Sequence, residues 1–286
     1  MLSETHESVV RVAVREHWGL RGELRPIQAR AGSFTWQTGD HVIKLARDEV
    51  AHFAAGLRAS EVIERVGIAT GAPVRTRAGK LCEPLAIGRQ SWVLAVLRRV
   101  DGNHLSMHAV APVVLGELLG RLHRIMRDLP TAGAWTPGDV LGHMARGITI
   151  AHPPPVRRLV TQAISDVRAY YGTGPSMHLL YGDGPGIFSA NGTDISAIID
   201  WGGVRVGSVA DDIGCWTAHG ATDRISLRDY TAGFLDGYRR RCELAVADAA
   251  AVGLFQRLRI VSRACYVTDP DLLTGVEAWT RRAFSE

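Results

Sequence analysis

The chain has 286 residues, of which 46% are hydrophobic and 22% are charged, a composition typical of a globular protein with a large buried core. Its formal net charge is +4, and arginine accounts for 31 of the 33 cationic residues. The arginines are spread along the chain without a basic tract, which argues against a nucleic-acid-binding protein. No apolar run reaches the roughly 20 residues that a membrane span requires, so a membrane partner is not expected either.

The N-terminal segment predicts a helix over residues 4–19, because its apolar residues recur at helical spacing. It lacks the charged and then apolar pattern of an export signal, which predicts a cytoplasmic protein. The cysteines show no C-x-x-C spacing and are predicted to be reduced thiols in the core. They are Cys82, Cys215, Cys242 and Cys265.

A three-stranded meander is predicted over residues 24–45, beginning with an edge strand that tolerates Pro26 near its start. The third strand carries Lys44, one of only two lysines in the chain, within the apolar run Val42–Leu45. A compact ammonium in this position is typical of a lysine that binds phosphate groups. The alternative is an exposed lysine on an edge strand.

The next segments predict a helix over residues 48–66, short strands over 72–75 and 80–85, and a buried strand over 91–102. A domain boundary is expected near Asp101, because the pattern beyond it is mainly helical. The segment 130–155 is rich in Gly and Pro and is either a substrate-side insertion or a long connection. Helices are expected over residues 109–126, 156–170, 226–241, 243–265 and 271–284.

The most informative stretch runs from residue 178 to residue 216. Two apolar runs end there in an aspartate that is followed within two residues by glycine, at Asp183 and at Asp200. Strands that end in this way bring carboxylates to one rim, and the glycines allow close approach of backbone and ligand. Two such acids suit one base and one metal ligand for phosphoryl transfer. The alternative is a plain hairpin with aspartates in its turns.

This stretch resembles the catalytic core of the aminoglycoside phosphotransferase and choline kinase group. The group's order is HGD, L-H-P-G-N, a strand, IDW or IDF, and G-D-P-x-x-D-L-A; this chain has YGD, G-P-G-I-F, IIDWG and G-S-V-A-D-D-I-G. The resemblance implies an α+β, bilobal protein-kinase-like fold. Residues 1–100 would form an N-lobe with an antiparallel sheet and a helix, and residues 101–286 a mainly helical C-lobe.

The resemblance also assigns roles to individual residues. It implies that Asp183 is the catalytic base, that Asp200 is a magnesium ligand, and that Asp212 is a structural acid that closes the segment. Lys44 would bind the α- and β-phosphates of a nucleotide held between the lobes. His123, at the end of the 109–126 helix, is expected to be a structural residue on a core-facing stripe.

Three further nucleotide-binding positions are implied with looser spacing. Ser33 would lie in the loop between the first strands, near the phosphates. A helical glutamate should pair with the strand lysine, and its distance from Pro73 favours Glu61 over Glu49 and Glu64. The backbone groups from Arg98 to Val100 would read the adenine at the hinge.

The loop after Asp183 departs from the group's pattern. It is one residue shorter, and Ile187 (or Phe188) stands where the group has a metal-binding Asn. Neither side chain can ligate a metal, although Ser189 or Asn191 lies close enough in sequence to replace it.

Two other positions also differ, since Tyr181 replaces the His of HGD and Ser208 replaces the Asp of G-D-P. The predicted function is an ATP- or GTP-dependent, magnesium-dependent phosphotransferase that acts on a hydroxyl group of a small molecule of antibiotic or natural-product type. One alternative is a non-catalytic kinase-like protein that binds a nucleotide or a partner. Another is a kinase for Ser or Thr of a peptide in natural-product maturation. Residues 217–286 contain nine acids and ten arginines, which disfavours a polycationic acceptor.

Overall fold

A computed structural model of the chain describes residues 4–30, 32–148 and 154–262. The chain divides into two compact units. The first comprises the chain up to Leu105 together with residues 132–134 and 186–203, and the second comprises residues 106–131, 135–185 and those from 204 onward. This division differs from the contiguous boundary expected near Asp101, because the segment 186–203 makes its strand pairs with residues of the first unit.

The first unit is built on a six-stranded antiparallel sheet with the order β1-β2-β3-β6-β4, in which β5 also pairs with β6. The expected meander is present, and β1 is an edge strand that contains Pro26. The strands are β1 (Arg25–Arg30), β2 (Ser33–Thr38), β3 (His41–Ala46), β4 (Pro73–Val74), β5 (Glu83–Ile87) and β6 (Gln90–Arg98).

Helices α1 (Glu4–Trp18) and α2 (Val50–Arg65) contribute to two separate core clusters on this sheet. Alternate residues of β6 belong to different clusters, since Leu94 packs with residues of α1 and Ala95 packs with residues of α2. The central strand is therefore apolar on both faces, which explains its continuous hydrophobic run.

A small second sheet completes the first unit. It has the order β10-β9-β7, formed by β7 (Asn103–His104), β9 (Ile187–Ser189) and β10 (Ala197–Ile198). A 3₁₀ turn at Trp201–Gly203 follows β10 and packs against α2. A Cβ at Gly56 of α2 would collide with the carbonyl of Trp201, so this contact requires glycine.

The second unit is mainly helical, as expected. It contains α3 (Pro112–Met126), α4 (Pro137–Gly147), α5 (Pro154–Gly172), α6 (Val209–Thr217), α7 (Leu227–Arg239) and α8 (Val246–Ser262), with a strand pair formed by β8 (His178–Leu180) and β11 (Arg205–Gly207). Helix α4 occupies part of the Gly- and Pro-rich segment, where a capping box between Thr136 and Asp139 begins the helix. The helix expected over 271–284 lies outside the described residues.

Close helix packing supports this unit. A Cβ at Gly237 of α7 would collide with the carbonyl of Val113 on α3, so the two backbones touch directly. Three of the predicted core thiols are buried and free, those of Cys82, Cys215 and Cys242, whereas Cys265 lies outside the described residues. Within the described part of the chain, no helix is both long and apolar enough to cross a membrane.

Candidate active site

The first unit brings Lys44 and Asp200 together. The Lys44 Nζ lies 2.6 Å from the Asp200 Oδ1, across 156 residues of sequence. Lys44 extends from the middle of β3, opposite Thr35 and Ala95, and its side chain is 20% exposed, whereas the Asp200 side chain is 51% exposed. An ion pair of this kind leaves the carboxylate accessible to a further ligand.

The backbone of Asp200 has an unusual conformation. Its φ angle is +68°, and it is the one non-glycine residue with positive φ among the described residues. This left-handed conformation costs most side chains about 1–2 kcal/mol, although Asp tolerates it better than most. Strain of this kind concentrates at functional sites. Gly202 leaves room beside the pair, because a Cβ there would lie 3.4 Å from the Lys44 Nζ.

The second unit holds Asp183 on a loop that is fixed by Asp212. Asp212 is fully buried on α6 and accepts hydrogen bonds from the N–H groups of Tyr181, at 2.7 Å, and of Gly182, at 2.8 Å. Its Oδ2 also lies 2.9 Å from the Nε2 of His123. The sequence expectation that Asp212 closes this segment structurally agrees with these contacts.

The network extends into the core through His123. A carboxylate only accepts hydrogen bonds, so the Nε2 of His123 donates to Asp212. Its Nδ1 lies 2.9 Å from the hydroxyl of Tyr238, and burial raises the pKa of Tyr238, so this hydroxyl stays protonated and can donate. His123 is 3% exposed, which confirms its predicted core-facing position.

A largely buried ion pair supports the same loop. Arg205 makes two hydrogen bonds to Asp211, at 2.8 and 3.0 Å, and donates a third to the carbonyl of Gly182. Burial lowers the pKa of the Arg205 guanidinium, but the Asp211 carboxylate more than offsets this effect and raises it. Gly182 has a φ of +83°, a conformation that glycine adopts freely.

The carboxylate of Asp183 uses only one of its oxygens within the described residues. Its Oδ1 accepts from the N–H of Gly184 at 2.7 Å and from the Nη2 of Arg259, on α8, at 2.8 Å. The Asp183 side chain is 44% exposed. With respect to the described residues, its Oδ2 is therefore available to an incoming hydroxyl group.

The ion pair expected between Lys44 and Glu61 is not formed, and this prediction needs correction. Both carboxylate oxygens of Glu61 lie on Arg75, at 2.8 and 3.1 Å, and Arg65 is also within 3.1 Å. Hydrogen bonding from Arg75 lowers the pKa of Glu61, although burial opposes this. Lys44 instead has Asp200 as its partner.

The remaining nucleotide-binding predictions have mixed geometric support. Ser33 is the first residue of β2 rather than a loop residue, paired with Ala46 of β3. The N–H of Arg98 donates to Ala72, whereas Val100 donates no main-chain hydrogen bond within the described residues. Val100 lines a cavity of about 310 Å³ in the first unit. The expected hinge stretch therefore borders this cavity, and the N–H of Val100 has no acceptor among the residues that the structure describes.

The loop after Asp183 provides no substitute for the missing Asn. Ile187 is fully buried in β9, paired with Ile198. The side-chain oxygen of Asn191 accepts hydrogen bonds from Ser189, Thr193 and Asp194, which closes the turn before β10. No group of three or more acidic, histidine or cysteine side chains suitable for a metal occurs in the described ranges. The exposed carboxylate of Asp200 still fits magnesium, which is commonly held by one or two carboxylates together with substrate phosphates.

Ser208 retains a structural role in place of the expected Asp. Its hydroxyl caps α6 by accepting from the N–H of Ala210, and it donates to Asp248 at 2.6 Å. Tyr170 donates to the same carboxylate at 2.7 Å. Asp248, on α8, thus supplies the negative charge near this helix N-terminus that the sequence lacks at position 208.

Arg259 and Arg205 are site residues that sequence reasoning missed. Arg259 is 76 residues from Asp183 in sequence, and nothing in its helix distinguishes it from Arg257, the other arginine of α8. The sequence gives a weak indication of Arg205. It lies between the IIDWG and G-S-V-A-D-D-I-G motifs and is the only cation from residue 178 to residue 216 other than histidine.

Known structures share this architecture. No model of a protein family matches the sequence, and no curated protein matches it either. A microcompartment-associated aminopropanol kinase has a TM-score of 0.76 at 16% identity, over 96% of this chain and 95% of its own. An amicoumacin kinase in complex with AMP-PNP, Ca²⁺ and Ami has a TM-score of 0.73 at 15% identity, over 99% and 95%.

A choline kinase from Streptococcus pneumoniae has a TM-score of 0.64 at 10% identity, over 98% of this chain and 99% of its own. Structures of aminoglycoside phosphotransferases match as well. The chain has the fold of the small-molecule kinases. The α+β, kinase-like fold predicted from residues 178–216 is confirmed.

Proposed function

We propose that this protein is a phosphotransferase that uses ATP or GTP and magnesium to phosphorylate a hydroxyl group of a small molecule. The observation that carries the proposal is the ion pair between Lys44 and Asp200, formed at a residue held in a left-handed backbone conformation. Strain and an exposed carboxylate at one position favour a ligand-binding role over a purely structural one.

The first unit is assigned the nucleotide. Lys44 binds the α- and β-phosphates, and its ammonium turns from Asp200 towards them when nucleotide is present. Asp200 would hold Mg²⁺, which supplies neutralisation of phosphate charge when bound. Ser33 contributes its hydroxyl near the phosphates, and the N–H of Val100 and the carbonyl of Arg98 read the base. Glu61 is not part of this proposal because its oxygens are occupied by arginines.

The second unit is assigned the acceptor. The free Oδ2 of Asp183 accepts a hydrogen bond from the acceptor hydroxyl and takes its proton. The hydroxyl oxygen forms a bond to the γ-phosphorus while the bond from that phosphorus to the nucleoside diphosphate breaks. The network around Asp212 contributes by fixing the Asp183 loop, since most of the catalysis in such reactions comes from positioning.

Structural neighbours support the coarse assignment. The amicoumacin kinase was solved with AMP-PNP and Ca²⁺, and the aminopropanol and choline kinases are named for small alcohols. These names favour a nucleotide, a divalent cation and a small-molecule hydroxyl here as well. They favour a peptide acceptor less.

Ligand-induced stabilisation tests the nucleotide assignment directly. Either ATP or GTP with Mg²⁺ should raise the melting temperature, because a ligand that binds only the folded state stabilises it. Asp200→Ala should weaken this shift, whereas Asp183→Ala should retain it and abolish phosphate transfer. Asp223→Ala is a suitable control, since this exposed residue belongs to the second unit and not to the proposed nucleotide site. If neither nucleotide shifts the melting temperature at millimolar concentration, the proposal is wrong.

A non-catalytic nucleotide-binding protein is the second candidate. The burial of Ile187 favours it, because this position supplies no metal ligand. The two candidates differ in one measurement. A melting shift with Mg²⁺–ATP or Mg²⁺–GTP, but no nucleoside diphosphate release with a library of hydroxyl compounds or with water, would select the non-catalytic protein.

A further inference from the structure

Arg259 is the residue outside the catalytic loop that contacts the proposed base. It extends from α8, and its Nη2 lies 2.8 Å from the Oδ1 of Asp183. The side chains of Arg259 and Asp183 are 36% and 44% exposed, so both are accessible to a ligand. A Cβ at Gly184 would lie 3.7 Å from the same Nη2, so the guanidinium also borders the backbone of the loop.

Within the part of the chain that the structure describes, the Arg259 guanidinium uses one of its donors. A guanidinium carries five N–H donors in a planar fork that matches carboxylate and phosphate groups. Among the described residues, Asp183 is the single hydrogen-bond partner of the Arg259 guanidinium. The remaining donors belong to a guanidinium that already contacts the carboxylate of the proposed base.

Among the described residues, the carboxylates near this arginine other than Asp183 already have partners. Asp211 is paired with Arg205, and Asp212 is buried and bonded to His123. Burial raises the pKa of the Cys215 thiol to about 12, so this neighbour of Arg259 is neutral. Asp183 itself is balanced by Arg259. Among the described residues, an ammonium group next to the reacting hydroxyl would meet this guanidinium, and the one carboxylate beside it is Asp183, which Arg259 already pairs.

We propose that Arg259 is an anion subsite for the acceptor, which is therefore a hydroxyl compound with a carboxylate or phosphate group near its reactive hydroxyl. This inference rests on the proposed function, since Asp183 must be the base. The anionic group binds the free fork of Arg259, and the hydroxyl then reaches the Oδ2 of Asp183. Its proton passes to Asp183, its oxygen bonds to the γ-phosphorus, and the nucleoside diphosphate leaves.

Three probes with one carbon skeleton test this subsite. Glycerate, glycerol and 3-amino-1,2-propanediol differ only in a terminal carboxylate, hydroxymethyl or aminomethyl group. Binding is measured by calorimetry with the full chain, and transfer by nucleoside diphosphate release. We expect glycerate to bind about tenfold more tightly than the amine, the effect of one charge-assisted contact. Inorganic phosphate should compete with glycerate, which distinguishes a general anion site from one that reads carboxylate.

Variants of Arg259 test whether this residue causes the preference for glycerate. Arg259→Gln should remove the preference for glycerate, and Arg259→Lys should retain part of it, because the charge remains without the fork. Arg257→Gln on the same helix is the matched control and should leave the preference unchanged. A structural role for Arg259 would lower the melting temperature of Arg259→Gln without changing the ratio of the probe affinities.

Several results would overturn the inference. Tighter binding of the amine by the unmodified chain would do so, as would an unchanged preference in Arg259→Gln, or failure of glycerate to bind at 50 mM. If Arg259→Gln does not fold, the affinity ratio of the unmodified chain and that of Arg259→Lys decide. Failure of the proposed function is seen separately, as a missing nucleotide-induced melting shift.

Discussion

The loops that carry Asp183 and Asp200 are held in place in different ways. The Asp183 loop is tied to the core of its unit by buried side chains, with Asp212 accepting from two consecutive N–H groups below it. The Asp200 loop is anchored by packing instead of a buried carboxylate, since Trp201 is buried, donates from its Nε1 to the carbonyl of Ile198 and lies against Gly56 of α2. It is shaped by a left-handed backbone at Asp200 and by the contact of that carboxylate with Lys44.

The two kinds of support suit different tasks, one of them stability and the other ligand binding. A buried network costs several kcal/mol when one member is removed, because its partners stay desolvated. An exposed ion pair contributes at most about 1 kcal/mol, so it is free to exchange partners when a ligand arrives. The Asp183 loop is thus suited to hold a base in one position, and the Asp200 loop is suited to respond to a nucleotide.

The largest expected effect comes from Asp212. Asp212→Ala leaves the N–H groups of Tyr181 and Gly182 and the imidazole of His123 without their buried acceptor, and should destabilise the protein by about 3–5 kcal/mol. Urea unfolding checks this value. Asp223→Ala, on the exposed surface of the same unit, should change stability by less than about 0.5 kcal/mol. A loss below about 1 kcal/mol for Asp212→Ala would show that the loop does not depend on this anchor.

Local motifs explain why part of the site was predictable. Asp183 and Asp200 each follow an apolar strand and precede a glycine, and Asp212 lies near the start of a helix. Lys44 interrupts an apolar strand. These patterns involve residues that are close in sequence, and the prediction of the fold class rests on the same patterns.

Contacts between distant segments were not predictable in the same way. The contact between His123 and Asp212 joins residues 89 apart, and that between Arg259 and Asp183 joins residues 76 apart. The choice of Glu61 failed because its distance from Pro73 does not determine which cation its helix face meets. In the structure that cation is Arg75. The register of packed elements decides such pairs, and single-sequence patterns do not contain it.

The ion pair below the Asp183 loop should have the second-largest effect. Arg205→Met leaves Asp211 and the carbonyl of Gly182 without their donor, which should cost about 2–3 kcal/mol. The double variant Arg205→Met/Asp211→Leu should recover the part of this loss that comes from the unpaired Asp211, while the carbonyl of Gly182 still lacks its donor. A double-mutant cycle in urea measures the coupling. Additive losses would show that the pair does not act as a unit.

The backbone of the Asp200 loop predicts a smaller effect. Asp200→Gly and Asp200→Ala both remove the carboxylate, but only glycine adopts positive φ without cost. The glycine variant should therefore be more stable than the alanine variant by about 1 kcal/mol. Urea midpoints compare the two, and neither should show a strong nucleotide-induced shift. Equal stability would mean that the left-handed conformation is not retained without the carboxylate.

Glu64 gives the first unit its nearest counterpart to Asp212, although it is only partly buried. Its Oε2 accepts from the N–H groups of Thr70, at 3.2 Å, and of Ala72, at 2.8 Å, and its Oε1 contacts Arg98. Burial raises the pKa of Glu64, but the hydrogen bonds from Ala72, Thr70 and Arg98 outweigh burial and lower it below its ordinary value of 4.5. Glu64 therefore contributes stability above that value.

This contribution should disappear as the pH falls through the lowered pKa of folded Glu64, because the protonated side chain loses its charge-assisted hydrogen bonds. Glu64→Gln has no charge to lose. Its free energy of unfolding should therefore fall less than that of the unmodified chain as the pH is lowered from 5. The pH dependence of the free energy of unfolding, measured in urea for both proteins, checks this difference. A smaller loss of stability in Glu64→Gln would show that Glu64, like Asp212, holds its loop as an ionised acceptor. If Glu64→Gln lost more stability than the unmodified chain on acidification, the ionised form of Glu64 would not be the one that holds the turn at Thr70–Ala72.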